Sequence, residues 1–308
     1  MKKITRRSFL AAAGLTADDL ALTACGGSSS STASSAASSV AASSEAASSS
    51  AAAAELTTVE AGKLTMATNA AFPPYEMTTD AGDFEGIDIE TAQAIADKLG
   101  LELQIDDMDF DAALLSVQQG KADIVMAGVT VTDERKAVMD FSDSYATGIQ
   151  SIIVPEGSDI ASPDDLAGKK IGTQRGTTGY IYCSDDFGDE NVVAYDDGLT
   201  AVQALNNGQV DAVVIDNAPA KEFIAANPGL VILETSYAEE DYAIGLAKGS
   251  SLEDAINSAL EELKAAGTLQ SIVDKYISAE KSACPLYHGE AAPSGAPPLF
   301  WKEQVTKF

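Results

Sequence analysis

Histidine is nearly absent: the one copy, His288, lies close to the end of a 308-residue chain. A Ser-His-Asp triad, a Cys-His pair and a histidine-based zinc site are therefore excluded from the body of the sequence. Cysteine is scarce as well. Cys25, Cys183 and Cys284 show no C-x-x-C spacing, so metal clusters and thioredoxin-like chemistry lack support, and no metal is expected. Cys183 and Cys284 are open either to pairing in an oxidising compartment or to remaining free thiols. Neither G-x-x-x-x-G-K-S/T nor G-x-G-x-x-G occurs, so no nucleotide cofactor is expected. Positive charge is limited to 19 Lys and Arg against 47 Asp and Glu, and a net charge of −28 repels a phosphate backbone. Nucleic-acid binding is excluded on that ground. After residue 25 no apolar run reaches membrane-spanning length, so the chain is not expected to form a channel or permease itself.

What is present begins with an address. Lys2, Lys3, Arg6 and Arg7 precede a short apolar region from Phe9 to Leu22, and Leu22-Thr23-Ala24-Cys25 resembles a lipobox. Residues 1–24 thus read as a signal peptide, and Cys25 as a lipidated first mature residue that anchors the protein to the outer side of the cell membrane. Thr5-Arg6-Arg7-Ser8-Phe9-Leu10 also resembles a twin-arginine signal, although Asp18-Asp19 interrupts the apolar region. From Gly26 to Ala54 nearly every residue is Ser or Ala, a composition that cannot bury enough surface to order itself, so 25–61 reads as a tether. The 45% hydrophobic composition leaves the remainder ample material for a core.

Within that remainder, Ala127-Gly128-Val129-Thr130-Val131-Thr132-Asp133-Glu134-Arg135 follows an apolar run and ends in a cation a short step from a Gly-Thr turn. A guanidinium matches a carboxylate bidentately, and the Gly128 and Thr130 amides with the Thr130 hydroxyl suit the rest of an anion's hydrogen-bond shell. A strand, a turn and an exposed helix-end arginine is an equally good reading of these residues alone.

A repeated grammar appears when Val117 to Met126 is laid over Leu205 to Val214: each reads as a helix end, a glycine stop and a short β-branched strand. Upstream, Lys63 to Asn69 has a counterpart in Lys169 to Arg175. Ile87, Ala92, Ile95, Ala96 and Leu99 fall at helical spacing before Gly100, giving an alternating β/α order and two similar lobes. Ligands in open α/β sheets sit beyond the carboxyl ends of the strands. The loops there carry Asn69, Phe72, Tyr75, Gly128, Thr130 and Arg135 in one half, and Arg175, Gly176, Thr177, Thr178 and Asp216 in the other. A cation on one side and an anion on the other suit a zwitterion such as an amino acid.

These residues resemble the family 3 extracellular solute-binding proteins, amino-acid receptors of ATP-driven (ABC) importers. The resemblance runs from about Gly62 to Ile277 and is carried by Ala67 to Glu76, Phe84 to Glu90, Ala127 to Arg135, Asp140-Phe141-Ser142 and Val210 to Asp216. It implies an α/β, two-lobed type II periplasmic-binding-protein fold, each lobe a mainly parallel sheet flanked by helices, with the ligand cleft between. The first lobe would span 62–147 and 242–280, the second 148–241, with two crossing strands as the hinge. It further implies a monomer that hands an amino acid to ABC permease and ATPase subunits.

By the same resemblance Arg135 binds the ligand carboxylate with Gly128, Thr130, Thr177 and Thr178, and Asp216 binds the ammonium. Asp216 is also suited to capping the helix before Pro219, and Thr177 to an ordinary Gly-Thr turn. Phe72 and Phe110 match positions where aromatic rings flank the ligand side chain. Asn69 departs from the acidic residue of members that bind cationic side chains, which favours a polar or neutral one. Ser184 to Glu190 and Glu239 to Asp241 read as solvated acidic faces, and the tail 281–308 carries no functional reading. Two rivals remain: a cyclohexadienyl-type dehydratase on the same fold, with Glu76 or Asp88 as the acid, and an amino-acid sensing module.

Overall fold

The computed structural model describes residues 56–277; the signal peptide, Cys25, most of the tether, Cys284 and the tail lie outside the described residues. The first lobe opens with β1 (Lys63–Thr68) and a small ribbon of β2 (Ala71–Phe72), β3 (Glu76–Thr78) and β4 (Phe84–Glu85). It continues with α1 (Ile87–Leu99), β5 (Glu102–Asp107), α2 (Phe110–Gln118), β6 (Ile124–Val125), α3 (Asp133–Val138) and β7 (Met139–Phe141). The long β8 (Ala146–Pro155) enters the second lobe, followed by β9 (Ile171–Gln174), α4 (Thr178–Phe187), β10 (Val192–Tyr195), α5 (Gly198–Asn206), β11 (Ala212–Asp216), α6 (Asn217–Ala226) and β12 (Leu230–Ile232). β13 (Ala238–Tyr242) leads back to β14 (Gly245–Ala247), α7 (Glu253–Ala265) and α8 (Thr268–Tyr276).

The helix expected before Gly100 forms because its apolar positions share one face. Ile87, Ala92, Ile95 and Ala96 are buried where α1 packs on α7 and α8, each isoleucine contributing roughly 1.5–3 kcal/mol of transfer free energy. The aligned glycines of the two halves, Gly120 and Gly208, have φ of 66° and 67°, the left-handed conformation that ends a helix and that residues with a Cβ disfavour.

The first sheet has the order β5-β1-β6-β14-β7 and the second β10-β9-β11-β8-β12, with β13 added against β8. In each lobe the first strand is flanked by the next two, all parallel, so successive crossovers leave in opposite directions. That arrangement opens a crevice at the carboxyl ends of β1 and β6 and of β9 and β11. The expectation of parallel strands at β6 and β11 holds on one edge only. Each pairs antiparallel on its other edge, with β14 and β8 respectively.

The crossing strands β8 and β13 pair antiparallel, Ala146 opposite Tyr242 and Gln150 opposite Ala238. Tyr242 is fully buried, and its ring occupies the space that a Cβ on Gly148 would need. Among the described residues no helix is long and apolar enough to cross a membrane.

Candidate functional site

The crevices of the two lobes face one another and enclose about 310 Å³ of space, part of it open to solvent. All nine side chains or backbone positions singled out from the sequence line it: Asn69, Phe72, Phe110, Gly128, Thr130 and Arg135 from the first lobe, Thr177, Thr178 and Asp216 from the second. Three more lining residues, Glu76, Ala127 and Gln174, were not assigned to binding from the sequence.

Arg135 reaches the cavity because Thr132 caps α3, its hydroxyl accepting the Arg135 N–H at 3.2 Å. The arginine is buried, not an exposed helix end. Its Nη1 donates to the Thr130 carbonyl at 2.8 Å and its Nη2 to the Gly176 carbonyl of the opposite lobe at 3.2 Å. The guanidinium carbon stands 5.4 Å from the centroid of the Phe110 ring. Burial lowers the pKa of Arg135 from its ordinary value.

The Gly128 amide is not available to an anion as expected, because it donates to Asp88 Oδ2 at 3.0 Å. Asp88 also accepts the Tyr145 hydroxyl at 2.7 Å, and burial pushes its pKa up to about 6. Thr130 donates its hydroxyl to Glu240 Oε2 at 3.1 Å and lies 3.5 Å from the Thr178 hydroxyl. Thr177 behaves as the turn residue its neighbours suggest: it caps α4 by accepting the Tyr180 N–H at 3.3 Å and donates to the Gln174 carbonyl at 2.8 Å.

Asp216 stands at the N-cap of α6, yet its side chain caps nothing. It accepts Gln150 Nε2 at 2.8 Å and the Tyr242 hydroxyl. Burial, and after it the negative charge of Glu240, raises its pKa to about 7. Tyr75 packs rather than lines the cavity, its ring centroid 5.9 Å from Phe72 and 5.3 Å from Tyr242.

Two expectations are corrected here. The run Glu239 to Asp241 is not wholly solvated, because β13 alternates and turns Glu240 inward while Glu239 and Asp241 stay exposed. Period-two alternation next to the buried Tyr242 was the signal that could have found it. In the second lobe Gln174, not Arg175, faces the cavity. Arg175 lies exposed 3.6 Å from Asp196. Ser184 to Glu190 is largely exposed or half-buried as expected, and Cys183 is a buried free thiol. Among the described residues no group of three or more His, Cys, Asp or Glu side chains is placed to hold a metal ion.

The family model for bacterial extracellular solute-binding proteins, family 3, matches residues 64–279. The probable histidine-binding protein of Neisseria gonorrhoeae is 31% identical over 277 residues, covering 87% of this chain and 95% of its own. The L-cystine-binding protein TcyJ of Escherichia coli K12 is 32% identical over 226 residues, covering 72% of this chain and 85% of its own. An ancestral arginine-binding protein, solved with bound glutamine, superimposes with a TM-score of 0.67 at 42% identity, over 70% of this chain and 97% of that one.

Proposed function

The chain belongs to the bacterial extracellular solute-binding proteins of family 3, and from that premise we propose that it captures a free amino acid between its lobes and delivers it to an ABC importer. One observation carries the reading: Arg135 of the first lobe and Asp216 of the second line the same buried cavity. The relatives are named for histidine, cystine, arginine and glutamine, side chains that share only the α-amino and α-carboxylate groups. Those are the groups that a guanidinium and a carboxylate recognise.

Arg135 has five N–H donors, of which two meet backbone carbonyls. The remaining donors, with Thr130 and Thr178, take the ligand carboxylate, and Asp216 takes the ammonium. Phe72 and Phe110 flank the side chain and exclude water, and the uncharged Asn69 supports a polar or neutral one. The lobes comprise 62–147 with 242–280 and 148–241, hinged at β8 and β13. A ligand that touches both lobes stabilises the closed form through contacts absent from the open one. The protein works as a monomer outside the cytoplasm, anchored by lipid on Cys25, and makes or breaks no bond.

Glu76 favours the dehydratase as a second reading, since a buried carboxyl with a pKa held well above its ordinary range is suited to a general acid. Thermal unfolding of the full chain with each of the twenty amino acids, prephenate and arogenate separates the two. A ligand at a hundred times its dissociation constant stabilises the fold by about 2.7 kcal/mol. A shift with amino acids and no turnover of prephenate or arogenate is expected; turnover would replace the receptor reading.

A further inference from the structure

Asn69, just beyond β1, and Gln174, at the end of β9, meet across the cavity. Gln174 Nε2 donates to Asn69 Oδ1 at 2.8 Å and lies 3.4 Å from the carbonyl oxygen of Asp196. Asn69 Nδ2 donates in turn to the carbonyl oxygen of Met108 at 2.9 Å. A backbone carbonyl only accepts, so a carbonyl at each end of this relay dictates which way both carboxamides face. Turning Asn69 over would set its oxygen against the Met108 carbonyl and its NH₂ group against that of Gln174. Both residues are more than nine-tenths buried, so water relieves neither mismatch. Gln174 therefore keeps its nitrogen toward the protein. Its Oε1, which meets no donor among the described residues, is the polar atom it offers to the cavity it lines. Glu76 stands in the same wall with neither carboxyl oxygen hydrogen-bonded.

We infer that Asn69 determines specificity by holding Gln174 with its carbonyl toward the ligand, which selects an amino acid whose side chain ends in N–H donors and rejects one ending in a carboxylate. Asn69 acts through Gln174 and is a positioning residue. The inference rests on the amino-acid-receptor reading and narrows its substrate class. Carboxamide and guanidinium side chains share the chemistry, and glutamine and arginine serve as its two probes, with glutamate as the acceptor-only counterpart.

Calorimetric titration of the full chain tests it. The wild-type protein should bind glutamine, arginine or both at least about ten-fold more tightly than glutamate, the scale of one buried mispaired polar contact. Asn69→Ala frees Gln174 to turn over, and the preference should fall by about ten-fold. Gln174→Ala should lower it similarly, and the double variant should fall no further than either single one, because both act on one contact. A loss of packing alone would weaken all three ligands together and leave their ratio unchanged. Glutamate bound as tightly as glutamine and arginine by the wild-type protein, or an unchanged ratio in Asn69→Ala, overturns the inference. If Asn69→Ala does not fold, the wild-type ratio and Gln174→Ala decide the matter. Binding of none of the twenty amino acids overturns the receptor reading itself and the inference with it, whereas binding without discrimination overturns the inference alone.

Discussion

The side-chain nitrogen of Gln150 donates to Asp216 at 2.8 Å. The same nitrogen lies 2.9 Å from Oε2 of Glu240, so one amide from β8 joins two buried carboxylates that belong to β11 and β13. Two neighbouring like charges taken out of water cannot both ionise freely, which is why Asp216 holds its proton to about pH 7. Tyr242, also on β13, donates its hydroxyl to the other oxygen of Asp216, tying the proposed ammonium site to the crossing strands.

A pH dependence follows. Asp216 has an ordinary value of 3.8 and a folded value of about 7, so the ligand-free folded state binds more protons than the unfolded one in between. Its contribution to stability is full below 3.8 and is lost as the pH rises through about 7. Asp88, raised to about 6, and Glu76, raised well above its usual value, act in the same direction. An ammonium ligand needs Asp216 ionised, so affinity should rise with pH across the same window. Titrations between pH 5 and 8 in two buffers of different ionisation enthalpy should register proton release on binding. Asp216→Asn should abolish most of the dependence and weaken binding.

Arg135→Ala should weaken amino-acid binding by roughly 2–5 kcal/mol, because it leaves a desolvated carboxylate without its partner. Arg135→Lys should not restore it, since an ammonium lacks the planar fork that also spans the Thr130 and Gly176 carbonyls. Titration of both variants is the check, and unchanged affinity in Arg135→Ala would remove Arg135 from the site.

Gly148→Ala should destabilise the fold by about 1–3 kcal/mol or more, because the new Cβ overlaps the buried Tyr242 ring. Urea unfolding midpoints measure this. A variant as stable as the parent would show that the crossing strands can shift apart without penalty.

Asp88→Ala should remove the acceptor of both the Gly128 amide and the Tyr145 hydroxyl, at about 1–3 kcal/mol for each donor left buried and unpaired. Asp88→Asn keeps one acceptor oxygen and should lose less. Comparing the unfolding free energies of the two variants tests the assignment, which equal losses would contradict.

How far the sequence reaches is visible in particular residues. α1 with its stop at Gly100, and the matched glycines Gly120 and Gly208, depend on contacts within a few positions of the chain, and there local periodicity and backbone freedom suffice. The loops after β1, β6, β9 and β11 were legible for a related reason, since strand order alone opens the crevice where they gather. Those local rules, with the family resemblance, determined which nine residues share the cavity.

Partner choice was decided only by the tertiary structure. Gln174 meets a residue 105 positions away, Gln150 meets Glu240 across 90 and Gly128 meets Asp88 across 40. Nothing near Gly128 in the sequence indicates that its amide is already engaged, and nothing near Asp216 indicates that its proton stays on to about pH 7. A hydrogen bond is set by which donor and acceptor the packed core brings within 3 Å, and a buried carboxyl's charge is set by the water it loses and the charges it gains. Both quantities come into being only when the lobes fold against the crossing strands.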